Sequence, residues 1–502
     1  MKAYQQFVAW MTAIQRNRNK PVLVLSLLLL VFAWLLWLLP LRTAILIGAD
    51  EGFALSKATL YLKGYQFYTQ VWNDQPLLHT WLIAQVVRHI SASILAPRLM
   101  TVAFAFVLLT SLFIIALRIS GLLVATLTVG LLMASPGFLE LAGSCMVEVP
   151  AVTIPVAALC GLLVLRRSKW LLPELLAGVL FGTGLHIKFN AAIYLPLAAL
   201  ILWLRHRRDA TPAYGKSLLM LASSVVASFL AVHWLIGEGS FAAQFKMAWE
   251  SHIAPAQSSE YGSAEQHPFP WMLLLKNWDT TLPAVVGIVF CCRRLRQDAF
   301  NLLPLAWLAI TIIVFVPHEP WWPYYYLHNS IPLCWCAALG IREVYDHTRA
   351  HPTRVLVLLF LAYRLCALPW IGARVYFQVM AIRNSPRIYS SLVLQQIARL
   401  KPFTTFMFTD QPVYSFHADI PLPPGLAVLS LKRLWSGEMT NERIAEEMDA
   451  IKPGIILLAN GPYVSPFQAL IRSDYQLIYE DPDERLYALK TVIAQADQAN
   501  PP

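Results

Sequence analysis

Between residues 21 and 371 the chain is a succession of long apolar runs joined by short loops in which Lys and Arg concentrate. A run of roughly 20 apolar residues matches the hydrocarbon core of a bilayer as a helix, and a helix satisfies its own backbone where water is absent. A chain patterned this way folds as a polytopic membrane protein. Its composition agrees: 57% of the 502 residues are hydrophobic and 14% charged, against about a quarter charged in soluble domains. The net charge of +10 does not point to nucleic acid, because the basic residues fall in the short loops, as the positive-inside rule requires. The first run, Pro21 to Leu39, is too long for a cleaved signal and lacks a small-residue cleavage site. Six of the seven cysteines, including Cys160, Cys291, Cys334 and Cys366, lie in apolar segments. There they read as small hydrophobes rather than as disulfides or metal ligands.

The loop charges set the topology. Lys2, Arg16, Arg18 and Lys20 place the N-terminus in the cytoplasm, and Arg118, Arg166 to Lys169, Arg205 to Arg208, and Arg293 to Arg296 fall on the same side. About eleven spans result, near 21–41, 97–117, 121–138, 149–165, 171–187, 189–204, 216–236, 279–292, 301–317, 324–341 and 354–371. The transmembrane domain is thus residues 1–371, with a first outer loop at 48–96 and a second at 237–278. Segments near 52–64 and 76–93 show helical apolar spacing and read as interfacial helices. From 372 to 502 the pattern changes to strands (404–408, 454–458, 475–479, 485–490) alternating with helices (386–400, 440–451), a small α/β domain outside the membrane. The tail from Gln495 reads as frayed. Asp481-Pro482-Asp483 spells an acid-x-acid motif, but in a hairpin turn, where Asp and Pro are ordinary, it reads as turn chemistry.

The outer face collects the chemistry. Its acids are Asp50, Glu51, Asp74, Glu148, Glu238 and Glu319, and its cations and histidines include Lys63, Arg98, Lys188, Lys246, His267, Lys276 and His318. Tyr61, Tyr65, Tyr68, Trp72, Trp321, Trp322 and Tyr324 to Tyr326 surround them. Aromatic faces suit sugar rings, cations suit phosphate oxygens, and a carboxylate can take a hydroxyl proton. Each residue also has a plainer reading. Asp50 and Glu51 can cap the helix that starts beside them. Glu148 can cap the fourth span. Lys188 and Arg98 can anchor at the interface, and the tyrosines can form an aromatic belt. His318 and Glu319 offer two metal ligands without a third.

Several spaced motifs carry a resemblance. Asp50-Glu51-Gly52 after the first span, Gly64 with Tyr68, and Trp72-x-Asp74-Gln75-Pro76 resemble the first outer loop of the GT-C glycosyltransferases. The similarity is to the bacterial group related to protein O-mannosyltransferases and lipid A aminoarabinose transferases. Arg98-Leu99-Met100 is similar to that group's Arg-Leu-Pro, and Ser135-Pro136 with Glu148-x-Pro150 to its second acidic loop, where Asp is usual. Gly182-x-Gly184 before Lys188 is similar to its Gly and Thr-Lys turn, and Trp307 with Tyr324 to Tyr326 to its later spans. The resemblance covers about residues 20–370. Pro76-Leu77 departs from a double proline, and His318-Glu319-Pro320 has no counterpart.

The resemblance implies a GT-C helical bundle that moves a sugar from an isoprenoid phosphate (undecaprenyl or dolichyl type) to a lipid, glycan or protein acceptor. Transfer takes place with inversion on the outer side of the cytoplasmic membrane. It implies Asp50 as base with Glu51 and Glu148 beside it. Lys188, Arg98, His267 and Lys276 would then meet the donor phosphate, and Tyr68, Trp72, Asp74 and Tyr325 would contact substrate. No cofactor is required, and dependence on a divalent cation stays open. Two other classes compete. A secondary transporter should show repeated halves and midplane charges, which this sequence lacks; an inactive assembly protein on the same scaffold would differ only in an assay.

Overall fold

The computed structural model describes residues 19–165, 171–209, 214–237, 239–253, 262–295, 298–384, 391–459 and 468–499. Glu238, Arg166 to Lys169 and Arg296 lie outside them. A helix occupies every segment expected to span. Five are long and apolar enough to cross a membrane: Lys20–Trp37, Leu95–Ser120, Phe189–Arg208, Tyr214–Ile236 and Arg354–Asn384. Leu122–Met133, Glu148–Val164, Leu172–Leu185 and Ala299–Phe315 are shorter apolar helices, and Trp278–Arg294 and Tyr326–Ala350 complete the bundle. Close packing substitutes for a hydrophobic drive in such a bundle. Gly287 and Gly340 face each other across the Trp278–Arg294 and Tyr326–Ala350 helices, and a Cβ on either would collide with the other helix's backbone.

The outward-facing apolar residues of the spans, such as Leu219, Leu230, Leu358 and Leu365, are exposed where lipid would cover them. The final helix departs from expectation by running to Asn384 rather than stopping near 371. Arg374 on that extension is held by the buried Asp279 at 2.8 and 2.7 Å, by Asn277 and by the Ala134 carbonyl.

Two helices, Glu51–Leu62 and Leu78–His89, occupy the segments whose apolar spacing predicts helices. They form the floor of a second core. Leu55, Leu60, Val71 and Ile83 pack with Val393, Ile397, Met407, Ile455 and Leu486 of the C-terminal domain. Gly52 makes that contact possible, since a Cβ there would meet the Val413 backbone nitrogen at 2.8 Å.

The C-terminal domain carries β1 (Met407–Thr409), β2 (Ile455–Ala459), β3 (Tyr475–Glu480) and β4 (Glu484–Leu489) in the order β1-β2-β4-β3. β1 and β2 are parallel, Met407 opposite Ile455, so a crossover must join them. The Asn441–Ile451 helix, capped by the Thr440 hydroxyl, belongs to it. β4 is antiparallel to β2 and β3. Asp481 accepts from the amides of Asp483 and Glu484 in the β3–β4 turn, which accounts for the acid-x-acid motif as turn chemistry. The tail expected to fray is helical through Ala499, because Val492 and Ala496 are buried one turn apart.

Candidate active site

The helix start at Glu51 sends two adjacent carboxylates in different directions. Asp50 occupies the N-cap position yet makes no capping bond with its side chain. It lines a cavity of about 280 Å³ at the end of the bundle. Glu51 is fully buried elsewhere. Arg98 Nε and Nη2 donate to its two oxygens at 2.8 and 2.7 Å, and the amides of Ile47 and Cys145 donate at 2.8 and 3.0 Å. Arg98 also donates to the Leu41 and Ala44 carbonyls at 2.8 Å. Every strong valence of this pair is used inside the protein. The expectations that Glu51 shares the base's work and that Arg98 meets phosphate are therefore corrected. The pair fixes the start of the Glu51–Leu62 helix against the Leu95–Ser120 helix.

Several segments, distant along the chain, build the cavity around Asp50. The Glu51–Leu62 helix adds Phe53, Ala54 and Lys57, and the following loop adds Asp74, Gln75 and Pro76. Glu148 begins its helix there, and Lys188 enters from the turn after Leu172–Leu185. Trp322, Tyr324 and Tyr325 form an aromatic wall, and Val428 to Lys432 of the C-terminal domain close it.

Lys188 Nζ lies 2.9 Å from Glu148 Oε1, and 5.0 and 5.6 Å from the ring centres of Tyr324 and Tyr325. Attraction between cation and ring face adds to the ion pair. The buried second oxygen of Glu148, Oε2, has no hydrogen-bond partner among the described residues, and neither does His79 Nε2. Both residues line the cavity. Burial, with the Glu148 charge adding to it, pushes the Asp50 pKa up to about 6 against the pull of Lys188. Burial pushes the His79 pKa down to about 3, so its imidazole is neutral.

A small network shapes the loop. Tyr68, in the left-handed region at φ 65, donates from its hydroxyl to the Gln75 carbonyl at 2.8 Å. Asn73 Nδ2 donates to the same carbonyl at 2.6 Å and to the Tyr68 hydroxyl at 3.3 Å. Gln75 Nε2 donates to Asp74 Oδ2 at 3.2 Å.

The structure thus brings Asp50, Asp74, Glu148, Lys188 and Tyr325 to one cavity, and leaves other expected contacts outside it. Tyr68 supports the loop from behind. Trp72 Nε1 donates to Glu438 at 2.8 Å and lies under the Arg433 guanidinium, which ties the loop to the C-terminal domain. His267 stacks on Trp322 and Trp435 at 5.5 and 5.6 Å, linking the wall to the same domain without lining the cavity. Lys276 is exposed at the end of a short helix, and its carbonyl accepts from Trp370. His318 turns to the Tyr325 hydroxyl at 3.4 Å, and Glu319 is exposed.

Sequence reading missed Lys57, His79 and Val428 to Lys432. Lys57 had a visible signal: it lies two helical turns after Asp50, hence on the same face. The C-terminal segment had none, because only the tertiary fold brings it over the loop.

No family model matches this chain, and no curated protein does. Solved structures do. ArnT from Cupriavidus metallidurans bound to undecaprenyl phosphate is similar with a TM-score of 0.62 at 13% identity, over 95% of this chain and 99% of that one. Its apo form matches with the same score and identity, over 93% and 98%. The archaeal oligosaccharyltransferase AglB from Archaeoglobus fulgidus, in complex with an inhibitory peptide and a dolichol-phosphate, matches with a TM-score of 0.56 at 12% identity. That likeness covers 88% of this chain and 70% of AglB. The chain accordingly has the GT-C membrane fold that these proteins share.

Proposed function

We propose that the protein is a membrane glycosyltransferase that moves a sugar from an isoprenoid phosphate carrier to an acceptor hydroxyl outside the cytoplasmic membrane. One observation carries the reading. A carboxylate with a raised pKa, a carboxylate–lysine pair and an aromatic wall share a cavity at the end of a lipid-facing bundle. The solved neighbours hold undecaprenyl phosphate and dolichol-phosphate, which is the donor class this setting suits. The N-terminus lies in the cytoplasm and the cavity and C-terminal domain lie outside, in accordance with the loop bias of Lys and Arg.

In this scheme the acceptor oxygen attacks the anomeric carbon from the face opposite the phosphate. The anomeric carbon–oxygen bond breaks, its electron pair leaves with the lipid phosphate, and the acceptor proton passes to Asp50. Glu148 orients the acceptor or the sugar hydroxyls, and Lys188 holds Glu148 while drawing the donor phosphate toward the cavity. Tyr325 and Tyr324 stack on the sugar, and Asp74 contacts its hydroxyls.

Mass spectrometry of envelope glycolipids and glycoproteins tests the reading. A deletion strain should lose one sugar modification, restored by the wild-type gene and not by Asp50→Asn. An unchanged glycan profile in the deletion strain would overturn it.

A further inference from the structure

Lys188 already has an anionic partner. Its ammonium is paired with Glu148 at 2.9 Å in a nearly closed setting. Lys57 is placed differently. It stands on the Glu51–Leu62 helix, two turns from Asp50, and lines the same cavity. Its Nζ donates to a neutral acceptor, Asn73 Oδ1, at 3.0 Å. An ammonium has three donors and no acceptor, so this bond leaves donors for an anion. Asn73 is itself buried and immobilised by its bonds to the Gln75 carbonyl and the Tyr68 hydroxyl. The lysine is therefore held in place by a group that does not neutralise it.

Such a group is useful in glycosyl transfer, and its role here rests on that reading of the site. The donor phosphodiester carries one negative charge. When the anomeric carbon–oxygen bond breaks, the electron pair stays on the phosphate oxygen and the product monoester gains negative charge. A lysine already balanced by Glu148 does not offset that gain without giving up its partner. We infer that Lys57 contacts the departing lipid phosphate and offsets the charge that forms on it, a catalytic contact separate from the Lys188–Glu148 pair. Asn73 is its positioning residue.

Burial pulls the Lys57 pKa down, opposed by the Asp74 and Asp50 carboxylates. An arriving phosphate strengthens that opposition and keeps the amine charged.

Binding of undecaprenyl phosphate and of undecaprenol to the full-length protein in detergent tests this without knowledge of sugar or acceptor. The wild type should bind the phosphate more tightly than the alcohol. Lys57→Met should weaken phosphate binding about tenfold or more and leave undecaprenol unchanged, in keeping with a lost charge-assisted hydrogen bond. Lys57→Gln keeps a donor for Asn73 without the charge and should behave alike, so it decides the matter if the Met variant does not fold. Lys57→Arg should retain part of the preference. A full preference for the phosphate in Lys57→Gln would overturn the Lys57 assignment and leave the glycosyl-transfer reading standing. A wild type that does not distinguish phosphate from alcohol would overturn both.

Discussion

Asp50 and Glu51 are chain neighbours that belong to two different regions. Glu51 lies in a dry joint, where a bidentate guanidinium and two backbone amides satisfy both oxygens. Asp50 opens onto a cavity it shares with Glu148, Asp74 and three lysines, Lys57, Lys188 and Lys432, with its pKa pushed up to about 6. Burial penalises both carboxylates, but only at Glu51 does the protein return full compensation. A carboxylate whose lone pairs are all engaged is a structural element. One that is dehydrated and incompletely compensated is poised to take a proton. The same contrast separates Arg98, every contact of which is internal, from Lys57, which faces the cavity.

The largest expected effect breaks the contrast on the cavity side. Asp50→Asn should lower turnover about a hundredfold to ten-thousandfold, the usual range for a lost general base, with an unaltered unfolding temperature in detergent. Because the base must be ionised, wild-type activity should rise with pH through about 6 and level off above it. An acid limb near pH 4 in kcat/KM, or near-normal turnover in Asp50→Asn with loss in Glu148→Gln, would transfer the base's role away from Asp50.

On the other side, Arg98→Met leaves a carboxylate buried without its cation, at a cost of about 3–5 kcal/mol in stability. Combining it with Glu51→Gln should recover much of that loss, since no charge is then stranded. Thermal unfolding of the single and double variants measures the difference. A fully stable Arg98→Met protein with weakened donor binding would return Arg98 to the phosphate.

The smallest effect sharpens the comparison within the cavity. Lys188→Met keeps the apolar stem and deletes the charge, and should raise the apparent KM for the lipid-linked donor by roughly 1–3 kcal/mol equivalent. Donor saturation curves in proteoliposomes report it. An unchanged KM would confine Lys188 to holding Glu148.

Much of this architecture was legible in the chain. The spans were readable because hydropathy and loop charge act over contiguous residues, and the strands of the C-terminal domain because Ile455 to Leu458 form an unbroken apolar run. The Leu78–His89 helix was readable from Leu78, Leu82 and Val86, one turn apart. Asp50, Asp74, Glu148 and Lys188 stood out as charges at span ends and in the adjoining loops, where the bilayer makes polar groups expensive.

What remained hidden was which of the polar residues face each other. The Glu51–Arg98 pair joins positions 47 residues apart, and nothing in either local segment marks it. The last spanning helix ran past its apolar stretch because Arg374 found Asp279 and Asn277, partners at the start of the Trp278–Arg294 helix. Val428 to Lys432 reached the cavity because Gly52 lets the C-terminal domain approach closely and because Trp72, Trp322 and Trp435 bridge the two parts. Local pattern therefore determined which segments enter lipid and which residue types gather at its surface. The tertiary structure alone decided which charges cancel in the interior and which stay available in the cavity, because compensation depends on distance in space and not on order along the chain.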